Sequence, residues 1–238
     1  MSAGQVIRQN TRKNQGTVTS IEAVGDGLRR VVFDPREAEL RWRPGMAVGV
    51  IVDPDGTSLR DRWRHYTIRR QHDDGALEFL LTVHDTGGPG VDWLQSLEPG
   101  SSFTFMGPGG NPTVETGHDH YVFVGDRTSL ASMGAMRDAL PDTASVTAIV
   151  ATPDPDRASF DSPALTDVRW VAADRAETIR AGLVDAVQVL EPFPPDTQAY
   201  VTGEMVAMRD VRRTLAERGV GRRRVGAHAH WTPDRRGM

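Results

Sequence analysis

Residues 64–69 read Arg-His-Tyr-Thr-Ile-Arg, in the middle of a segment whose side chains alternate in character. In a β-strand, residues two apart share a face, so Arg64 and Tyr66 point to one side of the strand. His65 and Thr67 then share the opposite side. Because arginine, tyrosine and threonine are common strand residues, this pattern alone also suits an ordinary strand. Its meaning depends on the glycine-rich turns that follow it.

Short strand-like segments separated by turn residues fill the chain between residues 16 and 104. Segments that alternate or run apolar fall at 17–24, 28–33, 47–52, 64–70 and 76–84. A short helix is predicted over 89–97, and a sixth strand over 102–106. Because turns rich in glycine, proline and aspartate recur at short spacing, this half of the chain is predicted to be an antiparallel barrel or sandwich.

Strands alternate with helices in the second half of the chain, after the turn-rich segment 107–113. Strands are predicted over 121–124, 145–151, 168–172 and 198–202, helices over 128–140, 175–190 and 204–217, and a last short strand near 224–229. This alternation is typical of a parallel sheet with helices on its faces. We therefore divide the chain into a polar leader over 1–14, a β domain over 15–110 and an α/β domain over 111–238.

The composition limits the chemistry that the chain can perform alone. Of its 238 residues, 38% are hydrophobic and 25% are charged, which is ordinary for a globular protein. The sequence has no cysteine, so disulfides, thiolate catalysis and iron–sulfur clusters held by its own thiolates are excluded. Lys13 is its only lysine, which argues against a P-loop or Schiff-base lysine. Any redox chemistry therefore needs a bound organic cofactor.

Charge and hydropathy limit the partners. The formal net charge of −4 argues against general binding to nucleic acid. No apolar run reaches the roughly 18 residues that a bilayer span needs, and residues 1–16 are polar rather than signal-like. We expect a cytoplasmic protein that binds neither nucleic acid nor a membrane.

The pair Arg64 and Tyr66 has the spacing expected of a flavin-binding strand. An arginine facing the pyrophosphate would neutralise its negative charge, and a tyrosine two residues later would pack against the ribityl chain or the ring. Thr67 follows where a hydroxyl or amide would reach the flavin N5, the atom that accepts hydride. A charged and aromatic pair on an ordinary strand is the alternative.

The turn before the helix predicted over 89–97 is a candidate anion-binding site. Residues 87–90 read Gly-Gly-Pro-Gly, and the first turn of a helix offers unpaired N–H groups and a partial positive charge to a phosphate. Pro89 suits the first helical position. His84 precedes the turn and could hydrogen-bond the cofactor. A plain loop, and a histidine that only packs at a strand end, are the alternatives.

Two glycine-containing strand ends are candidates for a second nucleotide site. Residues 125–128 read Gly-Asp-Arg-Thr where the first parallel strand meets its helix, and residues 202–204 read Thr-Gly-Glu at the end of a later strand. Open parallel sheets bind nucleotides at this edge. The chain lacks the GxGxxG fingerprint, so each strand end is a weak signal alone. Together they could flank the nicotinamide half of a dinucleotide.

Five motifs in this order resemble those of siderophore-interacting proteins, which are flavin reductases of the ferredoxin-reductase-like superfamily. The resemblance runs from about residue 15 to residue 233. Its motifs are RxYTxR at Arg64–Arg69; His84, Gly88-Pro89 and Trp93, similar to HGxxGPAxxW; Pro99-Gly100 with Gly107-Pro108; GDxT at Gly125–Thr128; and Gly203-Glu204 with the arginine-rich stretch to Arg213.

The resemblance implies a two-domain fold, with an antiparallel six-stranded FAD-binding β-barrel followed by a parallel-sheet α/β domain that binds NADPH or NADH. It implies that electrons pass from NAD(P)H through FAD to a ferric siderophore, releasing ferrous iron. We expect a monomer without metal ligands of its own. Thr67 is the candidate catalytic residue. The candidate cofactor-binding residues are Arg64, His65, Tyr66, Thr67, His84, Gly88, Pro89, Gly90, Val91, Trp93, Gly125, Asp126, Thr128, Gly203 and Glu204.

The chain departs from the family pattern at three places. Val91 stands where a small hydroxyl residue is usual, which removes one side-chain phosphate contact. Arg127 replaces an acid in the GDxT motif and reverses the charge expected at the nicotinamide entrance. Ala229-His230-Trp231 stands where a GYW-like segment is usual. Two alternatives follow: a reductase of another acceptor, such as a ferredoxin, free flavin or partner oxygenase, or a flavin-binding protein with weak turnover.

Overall fold

A closed barrel forms the first half of the protein. The computed structural model describes residues 12–24, 27–36, 40–58, 62–83, 87–110, 112–155 and 167–233. The barrel strands are β1 (Lys13–Ala23), β2 (Leu28–Asp34), β3 (Ala47–Ile51), β4 (Trp63–Gln71), β5 (Leu77–Thr82) and β6 (Ser102–Gly109). They close in the order β1-β2-β5-β4-β3-β6, with all neighbours antiparallel. The barrel prediction is therefore confirmed over the sandwich.

A five-stranded parallel sheet forms the second half. Its strands are β7 (His120–Asp126), β8 (Ser145–Thr152), β9 (Val168–Ala172), β10 (Thr197–Glu204) and β11 (Val225–Trp231), in the order β11-β10-β7-β8-β9. The helices are α1 (Pro89–Ser96) before the last barrel strand, and α2 (Leu130–Asp138), α3 (Ala176–Gln188) and α4 (Met205–Glu217) between sheet strands. In the described part of the chain, no helix is long and apolar enough to cross a membrane.

Pairing between strands extends several elements beyond their predicted ends. β1 begins at Lys13, four residues before the predicted start at 17, because Lys13 pairs with Met106 and Asn14 with Phe105 of β6. Two residues predicted to lie in the polar leader thus belong to the barrel. The helix predicted from residue 128 begins as a single 3₁₀ turn at Arg127–Ser129. β11 continues to Trp231, two residues past its predicted end.

The two domains pack against each other through a shared apolar cluster. Leu28 and Leu80 of the barrel lie in one buried cluster with Phe123 of β7 and Met133 of α2. Separate clusters fill the barrel interior and the opposite face of the sheet, where α3 and α4 pack. β2 and β5 of the barrel therefore pack on α2 and β7 of the sheet domain, and β4 meets α2 through the ion pair of Arg69 with Asp138.

Candidate active site

The RxYT strand and the glycine-rich turn meet at the start of α1. Gly90, the second residue of the helix, lies against Arg64 and Tyr66 of β4. A Cβ atom at Gly90 would lie 3.1 Å from the Tyr66 hydroxyl and 3.3 Å from Nε of Arg64. Glycine at this position thus allows an arginine, a phenol and a helix N-terminus to share one small region.

No side chain caps the N-terminus of α1. Gly88 is the N-cap residue, with φ 109° and no side-chain cap, and Pro89 follows at the first helical position. The Gly88 carbonyl accepts the N–H groups of Val91 and Asp92, both at 2.9 Å. The Val91 side chain has no polar atom, so this turn offers an anion only its backbone N–H groups and dipole. His84 lies outside the described residues.

Tyr66 and Trp93 form a stacked pair inside the barrel. Their ring centroids are 5.4 Å apart at an interplanar angle of 18°, and Trp93 also meets Phe103 edge-on. Burial raises the pKa of the Tyr66 phenol above its ordinary value, and the nearby Arg64 charge lowers it in part. Trp93 therefore fixes the orientation of the Tyr66 ring by stacking on it. Its direct contact with a cofactor stays a prediction.

His65 and Thr67 occupy the opposite face of β4. They pair across to Gly49 and Ala47 of β3, and a Cβ atom at Gly49 would lie 3.5 Å from Nε2 of His65. Arg69, further along β4, is 2% exposed and forms an ion pair of 2.5 Å with Asp138 of α2. The last residue of the RxYTxR motif thus joins the two domains.

Asp126, the last residue of β7, is the hub of the second predicted site. Its carboxylate is 2% exposed. Oδ1 accepts the backbone N–H of Thr128 at 2.8 Å and the Thr128 hydroxyl at 2.5 Å. Oδ2 accepts the backbone N–H of Glu204 and the indole N–H of Trp231, both at 2.8 Å. Asp126 therefore ties the carboxyl ends of β7, β10 and β11 together.

Gly203 makes this hub possible. It has φ 118°, and a Cβ atom there would lie 2.5 Å from Oδ2 of Asp126. Gly125 is equally enclosed, between the side chain of Ser129 and the carbonyl of Thr202. The two glycines predicted from the strand ends are thus required by close packing around Asp126. Their contact with a nucleotide stays a prediction.

Glu204 has one satisfied and one unsatisfied carboxylate oxygen. Oε2 accepts the backbone N–H of Ala207 at 2.7 Å and caps α4. Oε1 is buried and has no hydrogen-bond partner among the described residues. Such an orphaned buried acceptor is unusual in a protein interior. This oxygen therefore suits a ligand that brings a hydrogen-bond donor.

Two histidines that were absent from the predicted site complete this edge. His230 is the extra residue of a β-bulge, since Gly203 pairs with Ala229 while Glu204 pairs with Trp231. Its Nδ1 lies 3.2 Å from the Thr128 hydroxyl. The His228 ring meets the His230 ring edge-on, with centroids 5.8 Å apart. The sequence signal was the departure at 229–231, although it did not mark the bulge.

Desolvation lowers the pKa of both imidazoles, although His228 is exposed on β11 and His230 is only half-buried. It lowers the pKa of His230 to about 4, with Asp126 acting in the opposite direction. The pKa of His228 is also lowered, by burial first and then by His65 of β4. The ends of β11 and the outer face of β4 are therefore close in space. We call this region, with His65, His228 and His230, the domain seam.

Arg127 contacts the barrel. A Cβ atom at Gly27 would lie 2.9 Å from Nη1 of Arg127, so the guanidinium lies beside the loop between β1 and β2. The arginine that replaces the usual acid of the GDxT motif thus reaches from the sheet edge to the other domain.

The residues at the start of α1 fit the pyrophosphate of FAD. A guanidinium, the dipole of a helix and a space left by the missing side chain of Gly90 occur together there. Family models describe both halves of the chain. Residues 15–113 match the oxidoreductase FAD-binding domain, and residues 118–234 match the siderophore-interacting protein family. The chain belongs to the siderophore-interacting protein family.

Solved members align over nearly the whole chain. The siderophore-interacting protein SipS from Aeromonas hydrophila has a TM-score of 0.81 at 25% identity, covering 94% of this chain and 93% of SipS. A siderophore utilization protein from T. fusca has a TM-score of 0.80 at 25% identity, covering 95% of each chain. These matches confirm the predicted two-domain fold.

A curated relative contains a similar segment within a much longer protein. The mycobactin import ATP-binding/permease protein IrtA of Mycobacterium tuberculosis is 26% identical over 192 residues, which are 77% of this chain. The chain spans about a fifth of that relative, 21% of its length. Because residues 15–113 match an oxidoreductase FAD-binding domain, FAD is the cofactor, on a fold that typically binds NAD(P)H.

Proposed function

We propose that the protein reduces ferric siderophores with electrons from NAD(P)H, passed through FAD. The observation that supports this most is that His65 of the RxYT strand interacts with His228 of β11, whose end is joined to Asp126 through Trp231, within a chain of the siderophore-interacting protein family. The two aligned solved structures are named for siderophore interaction and siderophore utilization. The predicted domain limits, monomeric state and cytoplasmic location remain predictions.

The predicted residues of β4, the first turn of α1 and the sheet edge divide the work in this proposal. Arg64 and the first turn of α1 bind the pyrophosphate, and Tyr66 packs beside the ribityl chain. When bound, FAD supplies the hydride acceptor and then the donor of single electrons. Thr67 orients the ring from the outer face of β4. The strand ends around Asp126 and Gly203 position the nicotinamide. Because the cofactor carries the electrons, the chain supplies orientation and charge rather than an acid–base pair.

The acceptor is tested by comparing electron acceptors at equal concentration. FAD-loaded protein is given NADH or NADPH with ferric hydroxamate, ferric catecholate, a ferredoxin or free flavin, and ferrous iron is trapped with a colorimetric chelator. We expect ferrous iron from at least one ferric chelate, at a higher rate than electron transfer to ferredoxin or free flavin. Turnover with ferredoxin or free flavin alone would contradict the siderophore assignment and leave the flavoprotein assignment intact.

A further inference from the structure

We propose that Arg180 of α3 and Arg209 and Arg213 of α4 form a surface site for a phosphate group carried by a small molecule, built on the buried carboxylate of Asp210. The site lies on the face of the sheet that carries α3 and α4, away from α2 and the barrel. The inference goes beyond the proposed function, because no step of electron transfer uses these residues.

Asp210 is a buried carboxylate with three arginine partners. The residue is 1% exposed. Its Oδ2 forms an ion pair with Nε of Arg180. Its Oδ1 lies 3.4 Å from Nε of Arg209 and 3.5 Å from Nη2 of Arg213. Three guanidinium groups from two helices therefore converge on one acid.

The cluster holds more positive charge than Asp210 requires. One arginine neutralises the carboxylate, so the other two are in excess. Arg209 and Arg213 are four residues apart on α4, a spacing at which like charges destabilise a helix. The side chains of Arg180, Arg209 and Arg213 are 49%, 71% and 64% exposed, and such exposed ion pairs contribute little to stability. The excess charge therefore suits an anionic ligand better than a role in folding.

The arginines also keep N–H groups for a ligand. A guanidinium has five N–H donors in a planar fork. Arg180 and Arg209 each contact Asp210 through Nε, and neither meets a second acid in the part of the chain that the structure describes. Asp210 thus holds one edge of each fork and leaves the terminal nitrogens available. Phosphate oxygens match such forks with two parallel hydrogen bonds.

The net charge of the cluster favours a dianion. Three arginines and Asp210 leave two positive charges, while Glu217, 3.8 Å from Arg213, is balanced by the exposed Arg212. A phosphate monoester carries nearly two negative charges at neutral pH, whereas a carboxylate carries one. Exposed acids such as Glu177 lie on the same helices, so the basic patch is too small for nucleic acid or a membrane surface.

Two sources supply this chemistry: a free phosphate-bearing molecule, and the 2′-phosphate by which NADP(H) differs from NAD(H). Arg180 and Arg209 are each the fifth residue of their helix, about 6 Å from its first residue. Both helices follow the carboxyl ends of parallel strands, the edge at which such sheets bind nucleotides. The cluster therefore lies about one helical turn from that edge, a position that suits either source.

Calorimetric titration of the FAD-loaded protein with inorganic phosphate tests the site without turnover. With FAD bound, the phosphate-binding turn proposed at α1 is already occupied. We expect phosphate to bind about tenfold more tightly than acetate. Arg180→Gln and Arg209→Gln should each weaken phosphate binding about tenfold, because each removes charge-assisted hydrogen bonds. Arg222→Gln, the same change at an exposed arginine outside the cluster, is the matched control and should change the affinity less than about twofold.

Titration with NADP⁺ and NAD⁺ separates the two sources. If the 2′-phosphate occupies the site, phosphate competes with NADP⁺ but not with NAD⁺, and Arg180→Gln weakens NADP⁺ binding but not NAD⁺ binding. If a free molecule occupies it, phosphate and NADP⁺ bind together, and Arg180→Gln weakens phosphate binding alone. Equal phosphate affinity in the wild type and both cluster variants, or an equal loss in Arg222→Gln, would overturn the inference. Flavin reduction is measured separately, so that result would leave the proposed function standing.

Discussion

At the scale of single residues, the two candidate sites depend on two glycines, which have no side chain, and on an uncharged histidine. Gly90 leaves room where β4 meets α1, and Gly203 leaves room beside Asp126. His230 is half-buried, and desolvation lowers its pKa in spite of the carboxylate two hydrogen bonds away. Each of these features can be changed by one substitution without removing a charged cofactor ligand.

Gly90→Ala should separate cofactor binding from stability. The added Cβ would lie 3.1–3.3 Å from Tyr66 and Arg64 and would push the guanidinium from its place. Alanine favours a helix over glycine by up to about 1 kcal/mol, so the free energy of unfolding should not fall. We expect about a tenfold loss of FAD affinity, measured by fluorescence titration. Gln95→Ala, on the same helix, is the control. Unchanged FAD affinity would mean that the pyrophosphate lies elsewhere.

His230 should make stability depend on pH in the acid range. Its pKa is about 4 in the folded protein, against about 6.5 when unfolded. The unfolded chain therefore binds more protons between these values, and stability is lost as the pH falls from 6.5 towards 4. Asp126 and His228 face the ring and act in opposite directions.

The pH effect is measured by urea unfolding of wild type and His230→Gln at pH 7.5 and 5.0. The wild type should lose about 2 kcal/mol more than the variant over this interval. Each protein is compared with itself at the two pH values, so the effect of the substitution on stability at a fixed pH cancels. The same pH dependence in both proteins would show that His230 is not buried in its uncharged form.

At the scale of elements, strand ends carry the second site. β7, β10 and β11 end side by side, and their ends are joined by Asp126, Glu204 and Trp231. A β-bulge at the end of β11 redirects His230 towards Thr128. Bulges next to active sites often redirect a side chain in this way.

Gly203→Ala tests how tightly these strand ends are packed. The residue has φ 118°, and its added Cβ would also lie 2.5 Å from Asp126. Gly219→Ala is a matched control, since Gly219 has φ 96° but open space around it. Positive φ alone should cost about 1–2 kcal/mol in each variant. Overpacking should add about 1–3 kcal/mol in Gly203→Ala only. Equal losses in the two variants, measured by denaturant unfolding, would contradict the packing of this edge.

The elements with strong local patterns were predictable, and those fixed by distant partners were not. Alternation gave β2, β3 and β4 to within about a residue at each end. The start of β1 was missed because its first residues are polar and become a strand only through pairing with β6. The bulge at His230 was missed because it results from the register between β10 and β11, which a single sequence does not show.

At the scale of the whole molecule, the contact between domains sets the relation of the two sites. Arg69 lies on the strand that carries Arg64 and Tyr66, and its ion pair with Asp138 reaches α2, the helix that follows Asp126 and Thr128. Asp138 is the last residue of α2, where the helix dipole disfavours an acid. Its position is therefore explained by the arginines of β4, Arg69 at 2.5 Å and Arg70 at 3.7 Å.

Asp138→Asn should loosen the contact between the domains. Arg69 is 2% exposed, so removing a negative partner leaves a buried cation less well compensated. Because Asp138 is itself 30% exposed, we expect a loss of about 1–3 kcal/mol, below the 3–5 kcal/mol of a fully buried pair. Denaturant unfolding measures it. Asp142→Asn, an exposed change of the same charge, should cost less than about 0.5 kcal/mol. Similar losses in both variants would mean that the ion pair of Arg69 with Asp138 does not hold the domains together.

Some residues of the candidate site could be predicted from the sequence, and others could not. The motifs at 64–69 and 87–90 were found because each is local, and the structure places them together at Gly90. The role of Arg69 between domains, the position of Arg127 against the barrel and the histidines of the domain seam depend on contacts between residues more than 40 positions apart. No local pattern carries that information.

Anaerobic mixing of the FAD-loaded protein with NADH or NADPH, followed by flavin absorbance, tests most directly whether the nicotinamide nucleotide reduces the flavin. We expect the flavin absorbance to bleach within seconds and to return when a ferric siderophore is added. Asp126→Ala should slow the bleaching while FAD stays bound, because the strand ends that position the nicotinamide lose their common acceptor. If the protein holds FAD but its flavin does not bleach with either nucleotide, it is not an NAD(P)H-dependent reductase.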